Sequence, residues 1–181
     1  MKFPKLLYPS FLCLLMAGCD MIDYHPYDVH ISGETDVNAH NIAQIEQNCQ
    51  NKTTIRFVTM GDSQRWYDET DDFVSHLNKR DDIDFVIHGG DVSDFGVTDE
   101  FLWQRDIMNK LKIPYVVHVF QRYIKEFPGL QFCTSAHEHH RFEKDLFEDG
   151  IMYYMSDCMK NRNYYIFTIT PDGYEREVAY Y

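Results

Sequence analysis

The 181 residues carry 17 Lys+Arg against 29 Asp+Glu, a formal net charge of −12, and 44% of them are hydrophobic. That length predicts one domain with at most an arm, and 13 Tyr with 13 Phe exclude a disordered chain. The acidic balance excludes specific nucleic-acid binding and a polybasic membrane surface, both of which need clustered Lys and Arg.

At the N-terminus, Lys2 and Lys5 precede an apolar run from Phe11 to Met16, and Ala17-Gly18-Cys19 follows. A positive segment, a short apolar core and small residues form the pattern of a cleaved export signal, too short to span a bilayer. Small residues directly ahead of a Cys resemble the bacterial lipobox, which predicts a signal over 1–18 and lipidation of Cys19. An ordinary signal peptide cut nearby is the alternative. Loss of 1–18 removes Lys2 and Lys5 and no acid, moving the charge from −12 to −14. Cys49, Cys133 and Cys158 then remain, so at most one disulfide can form, and no C-x-x-C spacing offers a thiolate zinc site.

Residues 19–52 read as an arm, polar at first and closing in a short helix over 38–48 with Ile42 and Ile45 on one face. Residues 53–181 read as the domain. The β-branched alternation of 54–60 predicts a strand that ends at Gly61-Asp62-Ser63-Gln64. A helix follows, with Thr70 as its cap and Phe73, Val74 and Leu77 on one face. Residues 83–88 form a second strand, ended by Gly89-Gly90-Asp91. Thr98 caps a third helix bearing Phe101, Met108 and Leu111, and Tyr115-Val116-Val117 opens another strand. Strand–helix repetition predicts an α/β fold of right-handed βαβ units. The last third looks antiparallel: a strand over 151–155, then a hairpin of 164–170 and 174–180 around Pro171-Asp172-Gly173.

Function in open α/β sheets gathers at the carboxyl ends of the strands, where Asp62 and Asp91 both fall. Asp62 and Gln64 are two residues apart, so an extended exit from a strand points both the same way. Asp91 follows two glycines that permit a sharp turn. His137 and His139, one residue apart, present imidazoles from one loop. Carboxylate, amide and imidazole donors suit Mn, Fe or Zn. Each feature also has a plainer explanation. A Gly-Asp at a strand end is usually a turn, residues 137–140 make an acceptable solvated loop, and Asp94 serves either as a loop cap or as a support behind a ligand.

Taken together, Gly61-Asp62-Ser63-Gln64, Gly89-Gly90-Asp91-Val92-Ser93-Asp94 and His137-Glu138-His139 resemble the first, second and last motifs of the calcineurin-like metallophosphoesterases. Gln64 stands where a His is commoner, and Ala136 where Gly is usual. The whole chain is similar to lipoproteins of this family from Bacteroides-type bacteria. The resemblance implies a four-layered α/β/β/α sandwich and a two-metal centre hydrolysing phosphomonoesters, phosphodiesters or nucleotide diphosphates. It also implies a lipid anchor in the envelope of a Gram-negative bacterium. One metal would take Asp62, Gln64, Asp91 and His139. The other would take Asp91, His137, an Asn and a further His.

The chain departs from that pattern after Val117. The family's Gly-Asn-His-Asp/Glu motif and its middle metal-binding His have no recognisable counterpart. Instead Val119, Phe120, Tyr123, Ile124 and Phe127 fall on one helical face, so the apolar period changes from 2 to 3.6 with no turn residue between. This predicts a junction at Val117–His118 where an internal segment is missing, with His118 as a substitute ligand or an ordinary core histidine. An incomplete sandwich, impaired hydrolysis and dimerisation through exposed strand edges follow as expectations. A non-catalytic anchored protein holding one metal or none is the alternative.

Overall fold

The computed structural model describes residues 31–117, 131–146, 148 and 150–181. The signal segment 1–18, Cys19, His118 and the apolar stretch 119–127 lie outside the described residues. Among those described, no helix is long and apolar enough to cross a membrane.

Among the described residues, eight strands form two sheets: β1 (Ile55–Met60), β2 (Phe85–His88), β3 (Tyr115–Val117), β4 (Phe132–Ser135), β5 (Phe142–Lys144), β6 (Met152–Met155), β7 (Asn163–Thr170) and β8 (Gly173–Tyr180). The larger runs β3-β2-β1-β7-β8 and the smaller β4-β6-β5. Strands β1, β2 and β3 are parallel, joined by the helices α2 (Tyr67–Leu77) and α3 (Thr98–Met108). The βαβ expectation holds. Strand β7 then joins β1 antiparallel, and the β7–β8 hairpin turns at Thr170↔Gly173.

The alternation of β1 and β7 sorts the two faces of the large sheet. Val58, Met60, Tyr164 and Ile166 pack with Phe73, Val74, Leu77 and Met108 of the helices. Phe57, Tyr165 and Phe167 face Tyr154, Phe132 and Met152 of the small sheet. Aromatic contacts carry this second core, with Phe132 at 4.6 Å from Phe167 and 4.3 Å from Tyr174. The described layers are therefore helix, sheet and sheet.

Several local expectations change. Helix α2 begins at Tyr67, so Thr70 is not its cap but lies inside it, its hydroxyl donating to the Trp66 carbonyl at 2.6 Å. Val97, not Thr98, caps α3, and Phe101 is exposed while Glu100, Gln104 and Met108 turn inward. Glu100 tolerates burial because its carboxylate accepts the Phe95 N–H at 2.9 Å. Strands β4 and β5 were not anticipated, and β4 pairs with β6 in parallel, so the last third is not wholly antiparallel. Cys49, Cys133 and Cys158 are thiols.

The arm helix, α1 (Val37–Cys49), buries none of its residues and leaves Ile42 exposed. Its contribution is to the sheet edge. Asn38 donates to the Val117 carbonyl and accepts the Val117 N–H, both at 2.9 Å, and Asn41 donates to the Tyr115 carbonyl at 2.8 Å. The two amides satisfy the backbone of β3, which would otherwise invite another strand. The opposite edge, β8, carries Glu175, Arg176 and Glu177 exposed, a charged run that serves the same end.

Candidate metal centre

Strands β1 and β2 end side by side, Met60 opposite His88, and their exits are laced together. Asp62 N–H donates to the Gly90 carbonyl at 3.2 Å, and the Ser63 and Gln64 amides share the Asp91 carbonyl at 3.1 and 3.2 Å. This brings the two aspartates of separate motifs to one place. The loop after β4 closes over them, with Ala136 seated on Gly61 so tightly that a Cβ on Gly61 would lie 2.3 Å from that of Ala136. Glycine at 61 is therefore required by packing.

The result is a group of three donors. One ligand atom from each of Asp62, Asp91 and His139 lies within 4.8 Å of the others. Asp62 is fully buried, with one oxygen accepting the His137 N–H at 2.7 Å and Oδ2 buried without a partner. Gln64 is 8% exposed; its Nε2 lies 3.2 Å from His139 Nε2, and its Oε1 is likewise buried and unpartnered. Burial lifts the Asp62 carboxyl above its ordinary range, against the lowering pull of the His137 N–H and of His139.

The remaining sequence candidates fall outside this group. His137 does not join the three; its exposed imidazole meets Asp91 instead, Nδ1 to Oδ2 at 2.7 Å, and this contact raises its pKa. Asp94 forms an ion pair with Arg65. Backbone geometry is also unusual at the centre. Asp62 (φ 50°), Asp91 (φ 53°), His137 (φ 114°) and His139 (φ 55°) all occupy the left-handed half of the map, where non-glycine residues are uncommon and which concentrates at functional sites.

Sequence reasoning passed over two residues beneath these loops. His88 and Ser63 are both fully buried, with Nε2 and Oγ 2.7 Å apart, and Gly90 N–H donates to His88 Nδ1 at 3.2 Å. A backbone N–H can only donate, so Nδ1 is the acceptor and the neutral ring carries its proton on Nε2, toward Ser63. Burial pushes this imidazole down to about 4, the nearby Asp91 opposing. The one signal was a histidine at the buried end of an apolar strand.

Do the residues present fit a metal ion? Two buried oxygens without a protein donor, beside a carboxylate and an imidazole, suit a divalent cation. The donor set fits one divalent ion.

No family model matches the chain, and no curated protein does. Among solved structures, it resembles a conserved uncharacterized protein from Streptococcus pneumoniae, described as a predicted phosphoesterase, at 11% identity and a TM-score of 0.39, over 71% of this chain and 99% of that one. It also resembles a Thermotoga maritima protein solved by NMR in solution, at 12% identity and a TM-score of 0.44, over 70% and 99%.

Proposed function

We propose that this chain is a phosphoester hydrolase of the calcineurin-like kind, working with one well-made divalent cation site in place of two. The observation that carries the reading is the pair of buried, unpartnered oxygens, Asp62 Oδ2 and Gln64 Oε1, beside the converging donors of Asp62, Asp91 and His139. Leaving such groups unmet is costly, about 1–3 kcal/mol for each. Asp62, Gln64, Asp91 and His139 would hold the ion, and mixed oxygen and nitrogen donors favour Mn, Fe or Zn. Bound there, it would polarise a phosphoryl oxygen as a Lewis acid.

The chain's own residues supply the rest. Asp91 is part-exposed, open to the incoming ester on one side and braced by His137 on the other. Asp62 is fully buried, so it would meet the ion from the inner, solvent-free side of the centre. What is missing is acid–base help for the leaving group, since the sequence after Val117 has no counterpart of the family's Asn-His pair. Such help is worth roughly 10²–10⁴-fold, so turnover should be slow. The same gap favours a second reading, a cation-binding protein without turnover.

The test is metal analysis of the desalted protein after exposure to Mn²⁺, together with hydrolysis of a chromogenic phosphodiester. One ion per chain with slow turnover, both lost in Asp91→Ala, is the expected result. One ion without turnover would select the second reading. No retained ion in the wild type would overturn both.

A further inference from the structure

The carboxylates of the centre hang on two loops, and a single imidazole reaches both. Ser63, between Asp62 and Gln64, sits 2.7 Å from His88 Nε2; Gly90, directly before Asp91, donates to His88 Nδ1 at 3.2 Å. We propose that His88 is the positioning residue of the metal centre, a neutral bridge that fixes the spacing between the Asp62–Gln64 loop and the Asp91 loop while touching neither cation nor substrate. This deepens the hydrolase reading and rests on it for the chemistry served.

Three features argue for a bridge over a merely well-packed core side chain. First, both ring nitrogens are used, one accepting and one donating, and each is spent on a loop that carries a ligand. The Gly90 contact is local, two residues along the chain, and the Ser63 contact carries the ring across to the other loop. Second, both loops place a non-glycine residue in a sparsely populated backbone region, Asp62 at φ 50° and Asp91 at φ 53°. Such conformations persist only where the surroundings over-determine them. The three backbone hydrogen bonds between the loops fix their mutual approach, while the imidazole adds a rigid ring of set width from below. Third, His88 is anchored by the sheet itself, since it pairs with Met60 on one side and Val117 on the other. Its ring therefore inherits the position of an interior strand paired on both sides, which is what a reference point for two loops requires.

A glutamine offers the same acceptor and donor at nearly the same separation, without an ionisable ring. That makes His88→Gln the conservative variant and His88→Phe the disruptive one, with Ser63→Ala removing one arm of the bridge and little volume. Two readouts separate this proposal from the hydrolase reading. In the metal-free full chain, amide exchange at Gly90, Asp91, Ser63 and Gln64 should accelerate in His88→Phe and Ser63→Ala and stay near wild type in His88→Gln. In Mn²⁺ titrations, His88→Phe and Ser63→Ala should bind about 10–100-fold more weakly, the usual effect of losing a residue that orients ligands, and His88→Gln should recover most of the affinity. Faster exchange in His88→Phe and Ser63→Ala, with a wild type that binds no Mn²⁺, would leave the bridge standing and remove the hydrolase reading. Unchanged exchange and unchanged Mn²⁺ affinity in Ser63→Ala, with the wild type binding Mn²⁺, would overturn the bridge alone. Should His88→Phe fail to fold, the Ser63→Ala and His88→Gln pair decides the matter.

Discussion

Asp62 and Gln64 leave the central strand of a five-stranded sheet and are 0% and 8% exposed, whereas His137 and His139 sit exposed on a loop between strands of four and three residues. Both halves meet at one place, yet they are stabilised differently. The carboxylate half is fixed from within, by parallel strands, interlocked loops and the buried His88. The imidazole half is fixed from outside, by Ala136 resting on Gly61 and by hydrogen bonds to the aspartates it faces. In one half the fold dictates the ligand positions; in the other the ligands help to hold the loop. The two halves should therefore answer perturbation differently.

Acid is the strongest way to separate them. His88 is neutral in the fold with a pKa near 4, against 6.5 for a free imidazole. Between those values the unfolded chain takes up a proton that the folded chain refuses, so stability rises with pH across the window. Its contribution is full above about 6.5 and gone below about 4, about 3 kcal/mol in all by the usual conversion. Urea unfolding at pH 7 and at pH 4.5 should show this loss, offset in part by Asp62, whose carboxyl is raised by burial and takes up its proton more readily in the fold. In His88→Gln the acid-dependent part should shrink by about that amount. An identical pH dependence in wild type and variant would break the account of the buried half.

The same division explains what could be foreseen from the residues. Strands β1 and β2 and the β7–β8 hairpin were legible because burial on defined faces imposes alternation, and Pro171-Asp172-Gly173 supplies turn chemistry. Asp62, Gln64 and Asp91 stood out for the same reason: they follow strand ends. Strands β4 and β5 were not legible. Phe132-Cys133-Thr134-Ser135 and Phe142-Glu143-Lys144 are too short to show a period, and they exist because β6 pairs with both. Spacing alone does not separate His139 from His137, since a single residue lies between them; the family resemblance is what sets His139 with Asp62, Gln64 and Asp91, and those two aspartates and His139 converge in the structure. The inward face of α3 misled for a further reason, because Glu100 is buried against a backbone N–H that no helical periodicity can announce.

A smaller effect probes the seam between the halves. Gly61→Ala would place its Cβ 2.3 Å from the Ala136 Cβ, a distance no packing tolerates, and one of the two backbones must yield. Overpacking of this kind costs about 1–3 kcal/mol. Because the collision is with one methyl group, Gly61→Ala combined with Ala136→Gly should recover most of the loss, and thermal melting of the two single variants and the double would show it. If the double variant melts as low as Gly61→Ala, the seam is not where the halves are held.

The smallest expected effect lies wholly in the imidazole half and has the opposite sign to that of His88. The hydrogen bond to Asp91 raises the His137 pKa, so the folded chain holds this proton to a higher pH than the unfolded chain does. Any stability it contributes is present below 6.5 and fades as pH rises through the raised value. His137 is 77% exposed, and exposed pairs contribute little because water screens them. Its titration is thus the better readout than unfolding. In the metal-free protein, the His137 ring should titrate above 6.5 by NMR in wild type and move back toward 6.5 in Asp91→Asn, with His88 remaining neutral through the same range. A His137 titration unaltered by Asp91→Asn would mean that the exposed half is not organised by the buried one, and that the contact between them is incidental.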